Sequence, residues 1–191
     1  MTVQVLYKNK AKLTSTGAIT LFTEEKFQIK NLDRFLPKNS ALYADKILKN
    51  KKNTNENIIY FNINEKTTLI LVSLKKDLKS SDVENLGAEF YNFIKKGSFK
   101  ELSIFCESLK SKPGKDFIGR FVHGLKLKSY EFNIYKSKKV KNILTISLIG
   151  KQSALALKNK FKFKALEEGT FFTRDLVSEP GNILHPDEYA N

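Results

Sequence analysis

Apolar residues in this chain fall into two rhythms that alternate along its length. Short β-rich runs occupy residues 3–7, 18–22, 57–63, 67–74, 102–106 and 143–149, and each reads as a strand. Asn64, Glu65 and Lys66 part the third and fourth runs closely enough to make them a hairpin. Leu69, Ile70, Leu71 and Val72 are apolar without interruption, which predicts a strand buried on both faces. Between the strands the spacing changes to three and four. Residues 31–39 read as a loop closed by Pro37, after which Ser40 caps a short helix carrying Leu42, Ile47 and Leu48. Ser81 or Asp82 caps a second helix, with Val83, Leu86, Phe90, Phe93 and Ile94 on one face and Gly97 beyond its end. Asp116 opens a third, with Phe117, Phe121 and Leu125 inward. Residues 129–135 alternate as an extended segment, and the polar run 50–57 reads as an exposed loop.

From Lys151 the pattern is helical for the longest stretch in the chain. Ala154, Leu157, Phe161, Ala165, Gly169, Phe172 and Leu176 form one stripe, expected to face the core. Pro180 stops it by disfavouring helix at Glu179, and Gly181 and Asn182 supply turn chemistry. Ile183 and Leu184 give an apolar anchor. His185, Pro186, Asp187 and Glu188 then resemble a new helix start, with proline first and acids in the first turn. So short a helix is unstable alone, which predicts a piece of a larger protein. Strands alternating with helices, one pair joined as a hairpin, indicate an α/β layered domain with a mixed sheet. Three units are expected: an α/β domain over residues 1–150, a long connecting helix over 151–178, and the start of a further domain over 179–191.

Charge alters this picture in one respect. The net charge is +14, but residues 1–94 carry 15 basic and 10 acidic side chains, residues 95–164 carry 18 and 4, and residues 165–191 carry 1 and 6. A basic middle can meet nucleic acid or an acidic partner. Only Arg34, Arg120 and Arg174 are arginines, whereas base readout favours the bidentate guanidinium. A solvated lysine-rich surface is the simpler reading, with a DNA-binding module as the alternative. No apolar run approaches the ~20 residues of a membrane span, and residues 1–8 read as a strand and lack the pattern of a signal peptide. One cysteine, Cys106, excludes an internal disulfide. A cytoplasmic location without membrane association is expected.

Candidate chemistry is sparse. Gly150 and Lys151 stand between a strand and a helix, but Thr145 occupies the place of the first glycine of a phosphate loop, so a plain strand-to-helix turn is expected. His123 falls off the Phe117, Phe121 and Leu125 face and reads as a surface residue, and His185 reads as part of the turn. Cys106 ends an apolar strand and reads as core. Arg174 and Asp175 are neighbours pointing in different directions: Asp175 is expected to brace the following turn, and Arg174 to meet an acid or carbonyl. Glu167, Glu168, Glu179, Asp187 and Glu188 read as a solvated or subunit-facing acidic strip.

Two stretches carry a resemblance. Arg174, Asp175, Leu176, Val177, Pro180, Asn182, Leu184 and Pro186 match the R-D-L-V-N-x-P-x-N-x-L-x-P signature of the M17 leucyl aminopeptidases, with Ser178 where asparagine is common. Residues 124–137, with Gly124, Leu127, Tyr130, Phe132, Tyr135, Lys136 and Ser137, are similar to that family's G-x-x-L-x-x-Y-x-F-x-x-Y-K-S. The resemblance implies a macro-domain-like three-layer sandwich, followed by a catalytic domain that holds two divalent ions, Mn or Zn. It implies removal of N-terminal residues from peptide substrates, by a homohexamer. The metal-bearing motif N-T-D-A-E-G-R-L has no counterpart in these residues, so no catalytic or metal-binding residue carries over and this chain alone is expected to be inactive. Binding to DNA, known for some bacterial members, and to ADP-ribose, by analogy with macro domains, are the alternatives implied; the missing glycine-rich loop counts against ADP-ribose.

Overall fold

The computed structural model describes residues 2–10, 17–50, 56–97, 99–108, 114, 116–137 and 143–183. Its strands are β1 (Thr2–Lys8), β2 (Gly17–Thr23), β3 (Ile58–Asn64), β4 (Thr67–Ser73), β5 (Glu101–Phe105) and β6 (Ile143–Ile149). Its helices are α1 (Lys38–Asn50), α2 (Ser80–Lys96), α3 (Phe117–Ser129), α4 (Lys151–Lys158) and α5 (Lys160–Ser178). The strands form one sheet in the order β1-β6-β5-β2-β4-β3. Only the β3–β4 hairpin is antiparallel, and the remaining pairs run parallel. Leu69 to Val72 are all 0% exposed, as expected of a strand covered on both faces.

Alternation divides the sheet between two cores. Ala18, Phe22, Ile70, Val72, Ile104 and Ile146 point to the side packed by α2 and α3. Ile19, Leu21, Leu69 and Leu71 point to the side packed by α1 and the loop before it. α1 covers only part of its side. Gln4 on β1 is exposed there, and Thr145 and Ser103 on β6 and β5 are half-buried.

The contact between α2 and α3 rests on two glycines. A Cβ on Gly87 would stand 2.0 Å from the Phe121 carbonyl oxygen, and one on Gly124 would stand 1.9 Å from that of Glu84. Each helix therefore meets the other backbone to backbone, and no larger residue fits either position. Arg120 and Glu84 pair across the same contact at 3.0 Å.

Several expectations are revised. α1 starts at Lys38, directly after Pro37, so Ser40 is its third residue and no cap; Ala41 and Ala44 face the core while Leu42 is 65% exposed. α2 starts at Ser80, so Ser81 is helical, and Asp82 acts from inside the helix, its carboxylate accepting from the Lys79 amide at 2.9 Å. Residues 130–137 form no strand. The long helix from Lys151 is two helices, broken at Asn159, whose side-chain amide donates to Asp116 Oδ1 at 2.6 Å. Most of the 50–57 loop lies outside the described residues. The strand-to-helix turn holds: Gly150 has φ +110°, and Glu107 Oε1 accepts from the Lys151 amide at 3.1 Å. Such a φ favours glycine, and a Cβ there would also meet the Glu107 side chain at 2.7 Å.

Candidate functional site

Every residue of the expected stripe on α5 faces away from the domain or lies at its margin. Phe161 is 80% exposed and Phe172 65%, Ala165 and Gly169 are exposed, and Leu176 is half-buried. On α4, Leu157 is exposed too, and Ser153 and Ala156 turn inward. The inward side of α5 instead carries Phe163 and Glu167, both buried, with Phe171 and Arg174 half-buried. The spacing was legible, but which side is covered was not, because α5 packs on α3 and its inward polar groups find partners there.

Glu167 is the clearest case. It is 6% exposed, and Lys126 from α3 reaches its Oε2 at 2.9 Å. His123, also 6% exposed, places Nδ1 3.4 Å from Oε1 and lies against the Phe163 ring, with centroids 5.2 Å apart. His123 is thus no surface residue, and Glu167 is no part of a solvated strip. α3 is buried nearly all round because the sheet, α2 and α5 enclose it, so residues off its Phe117 and Phe121 face are buried too. A Cβ on Gly119 would stand 2.4 Å from the Phe163 ring, which fixes how closely α5 can approach. The Tyr7 hydroxyl, on β1, is held above its ordinary pKa by burial and by the charge of Glu167.

One and two turns further along α5, both side chains of the Arg174–Asp175 pair close on one tyrosine. Tyr130 donates to Asp175 Oδ1 at 2.7 Å. Arg174 donates from Nη1 to the Leu127 carbonyl at 2.6 Å, and its Cζ lies 5.4 Å from the Tyr130 ring centre. Phe171 packs on the same ring at 5.3 Å. Burial and the carboxylate together hold the Tyr130 phenol above its ordinary pKa. Tyr135 donates to Glu179, the residue after the helix, and that hydrogen bond raises its pKa likewise. Asp175 therefore reaches across to α3, and its carbonyl, not its carboxylate, meets the following turn, through the Glu179 amide at 3.1 Å. Arg174 does find a carbonyl.

Leu176 is half-buried, Val177 is 82% exposed, and Pro180 and Asn182 sit in an exposed turn closed by the Ile183 amide on the Pro180 carbonyl at 2.8 Å. Pro186, with Leu184, His185, Asp187 and Glu188, lies outside the described residues. Cys106 is 0% exposed, just past β5, and burial pushes its thiol up to about 12, far from a thiolate nucleophile. Among the described residues no three His, Cys, Asp or Glu side chains converge where a metal ion could sit, and no helix is long and apolar enough to cross a membrane. Sequence reasoning missed His123, Lys126 and Glu167 as a unit, and missed Tyr130 as the partner of Asp175. A signal existed for the second: both residues stand in the two motif stretches.

The cytosol aminopeptidase family, N-terminal domain, matches at residues 39–139. A probable cytosol aminopeptidase from Xanthobacter autotrophicus is 30% identical over 128 residues, covering 64% of this chain and 26% of that protein. One from Clostridium perfringens is 27% identical over 190 residues, covering 95% and 38%. Among solved structures, a variant of tomato leucine aminopeptidase superposes with a TM-score of 0.67 at 16% identity, covering 98% of this chain and 40% of that one. A bottromycin maturation enzyme in complex with Mn gives 0.61 at 13% identity, covering 92% and 35%. The chain thus spans about a quarter to two fifths of the length of these relatives.

Proposed function

The chain belongs to the cytosol aminopeptidase family, whose N-terminal domain it carries, and on that premise we propose that it is the non-catalytic part of a two-metal leucyl aminopeptidase that removes N-terminal residues from peptides in the cytoplasm. The observation that carries this reading is the clasp of Tyr130 with Arg174 and Asp175. It joins the matched domain to the helix that leads out of it, so the two resembling stretches form one mechanical element. Such an element holds a following domain at a fixed orientation, and packing, homohexamer assembly and restriction of access to a catalytic site are its jobs in this proposal.

The described residues do not fit a pair of Mn or Zn ions. Glu167 and His123, the buried acid and imidazole, are satisfied by Lys126 and by each other. No step of hydrolysis is assigned to them. The test is direct: the purified 191-residue chain, supplied with Mn²⁺ or Zn²⁺, releases no product from a leucyl anilide above the blank. Metal-dependent release that scales with chain concentration overturns the proposal.

A second reading has one observation in its favour. Lys151, Lys158, Lys160, Lys162 and Lys164 are all exposed along α4 and the start of α5, a spacing that can track phosphates. A gel shift with duplex DNA that fades steeply with salt supports it, and no shift at low salt ends it.

A further inference from the structure

Two properties coincide on the surface around α4. Residues 143–166 hold five lysines and no acidic residue. Ser153 and Ala156 turn inward, while Lys151, Ala154 and Lys158 follow one line along the opposite side of α4, flanked by Leu155 and Leu157. Leu155 is 43% exposed and Leu157 45%, and Phe161, in the first turn of α5, is 80% exposed. Lys8, also exposed, stands beside the start of α4, because its carbonyl accepts from the Gly150 amide at 3.0 Å and the Ser153 hydroxyl at 3.3 Å. Lys164 is discounted, since Glu168 neutralises it at 3.3 Å. Lys160 lies 6.0 Å from the Tyr7 ring centre and Lys162 5.8 Å from that of Phe163, and both remain exposed. Among the described residues no acid pairs with Lys8, Lys151, Lys158, Lys160 or Lys162. Glu107 meets Lys151 only at its backbone amide, and Asp116 is held by Asn159.

Apolar side chains set among unpaired ammonium groups narrow the choice of partner. A nucleic-acid backbone takes the charge but gains nothing from the leucines, and Phe161 alone offers a ring on which a base could stack. A bilayer rich in anionic lipid takes both at once, with lysines at the headgroups and apolar side chains at the acyl boundary. The absence of a long apolar run excludes crossing a membrane; lying on one needs only an amphipathic face.

We propose that α4 and the first turn of α5 dock on an anionic lipid surface, with their lysines at the headgroups and Leu155, Leu157 and Phe161 inserted between them. The docking does not depend on the peptidase reading, since it concerns attachment and not hydrolysis.

Co-sedimentation of the 191-residue chain with vesicles tests it. Vesicles of phosphatidylserine and phosphatidylcholine in equal parts should bind the chain at least about tenfold more tightly than phosphatidylcholine alone. Phe161→Ser keeps every lysine and should weaken binding to the mixed vesicles about tenfold, as loss of one buried phenyl group does. Lys158→Glu with Lys162→Glu, with an unchanged far-ultraviolet circular dichroism spectrum, should weaken it at least as much. Should that pair fail to fold, added salt should weaken binding of the parent chain. A polarity-sensitive fluorophore on Phe161→Cys, where the native Cys106 is buried and does not compete, should shift to the blue on the mixed vesicles. No binding to the mixed vesicles, or a fluorophore that stays in water, overturns the docking. So does binding that Phe161→Ser leaves unchanged for vesicles and duplex DNA alike, which reduces the patch to a charge that meets any polyanion.

Discussion

Tyr130 donates to the carboxylate of Asp175 at 2.7 Å, while the neighbouring Arg174 covers the ring of the same tyrosine and binds the Leu127 carbonyl. The adjacent acid and base do not pair with each other; they take opposite parts of one side chain. The ring is held by its face and its hydroxyl together, so α5 has a fixed rotation about its axis as well as a fixed distance from α3.

Removing the hydroxyl tests the value of this hold. Tyr130→Phe should cost about 0.5–1.5 kcal/mol in unfolding free energy, the net worth of one hydrogen bond. Asp175→Asn should cost a comparable amount, and the double variant should cost less than the two added together. Urea melts of the four proteins measure the coupling. Strict additivity would show that the contact contributes nothing.

Gly124→Ala sets two effects against each other. Alanine gains up to about 1 kcal/mol of helix propensity, but its Cβ would stand 1.9 Å from the Glu84 carbonyl oxygen. That obstacle is backbone and cannot swing aside. Overpacking of this kind costs about 1–3 kcal/mol or more, so net destabilisation is expected. Gly169→Ala, where a Cβ meets nothing, should stabilise. Thermal melts of the two variants should move in opposite directions.

Glu131 makes stability depend on acidity. The Lys95 ammonium at 2.8 Å is the first cause that lowers its carboxyl from an ordinary 4.5 to about 2. A depressed carboxyl stabilises the fold above its unfolded value and loses that contribution as pH falls through the folded one. Glu131→Gln should therefore be less stable than the parent at neutral pH. The gap should close as the pH falls from about 4.5 to about 2. Denaturant midpoints measured across that window check the slope.

Glu167→Ala removes the one carboxylate that both His123 and Lys126 approach. Breaking a buried charge pair from one side costs about 3–5 kcal/mol. Lys126 is partly exposed and can turn to water, so the lower end is expected. Hydrogen exchange should show faster opening of α5 than of the β2–β4 pairing, which lies in the middle of the sheet.

Much of the fold could be read from residues alone, and the reason is local. Leu69 to Val72 read as a doubly covered strand, and Asn64 to Lys66 as the turn of a hairpin, and both are so in the structure. Gly150 marked the start of α4 because the chain turns there with positive φ. The failures share a different cause. Residues 130–135 alternate like a strand, yet Tyr130 and Tyr135 are committed to Asp175 and Glu179, so the segment bridges α3 to the end of α5 and never reaches the sheet. The periodicity of α5 identified a helix but not its inward side, since Phe163, Glu167 and Arg174 become an interface only beside Gly119, Lys126 and Leu127. His123 was misplaced for the same reason. The Arg174–Asp175 motif was visible in sequence, but its physical meaning depended on Tyr130, far away along the chain.

The register of β1 has a temporal consequence. Val3 lies against Leu144 and Tyr7 against Leu148, and β6 is the only strand β1 touches in the described structure. β1 therefore waits for β6, the last strand among the described residues, before it has a neighbour in the sheet. The intervening loop-closure entropy is met only once β6 has joined β5. Until then Val3, Val5 and Tyr7, which pack on the α2 and α3 side, stay open to water. A growing chain thus carries β1 as an unpaired apolar segment until β6 has been made, which gives chaperones time to meet it.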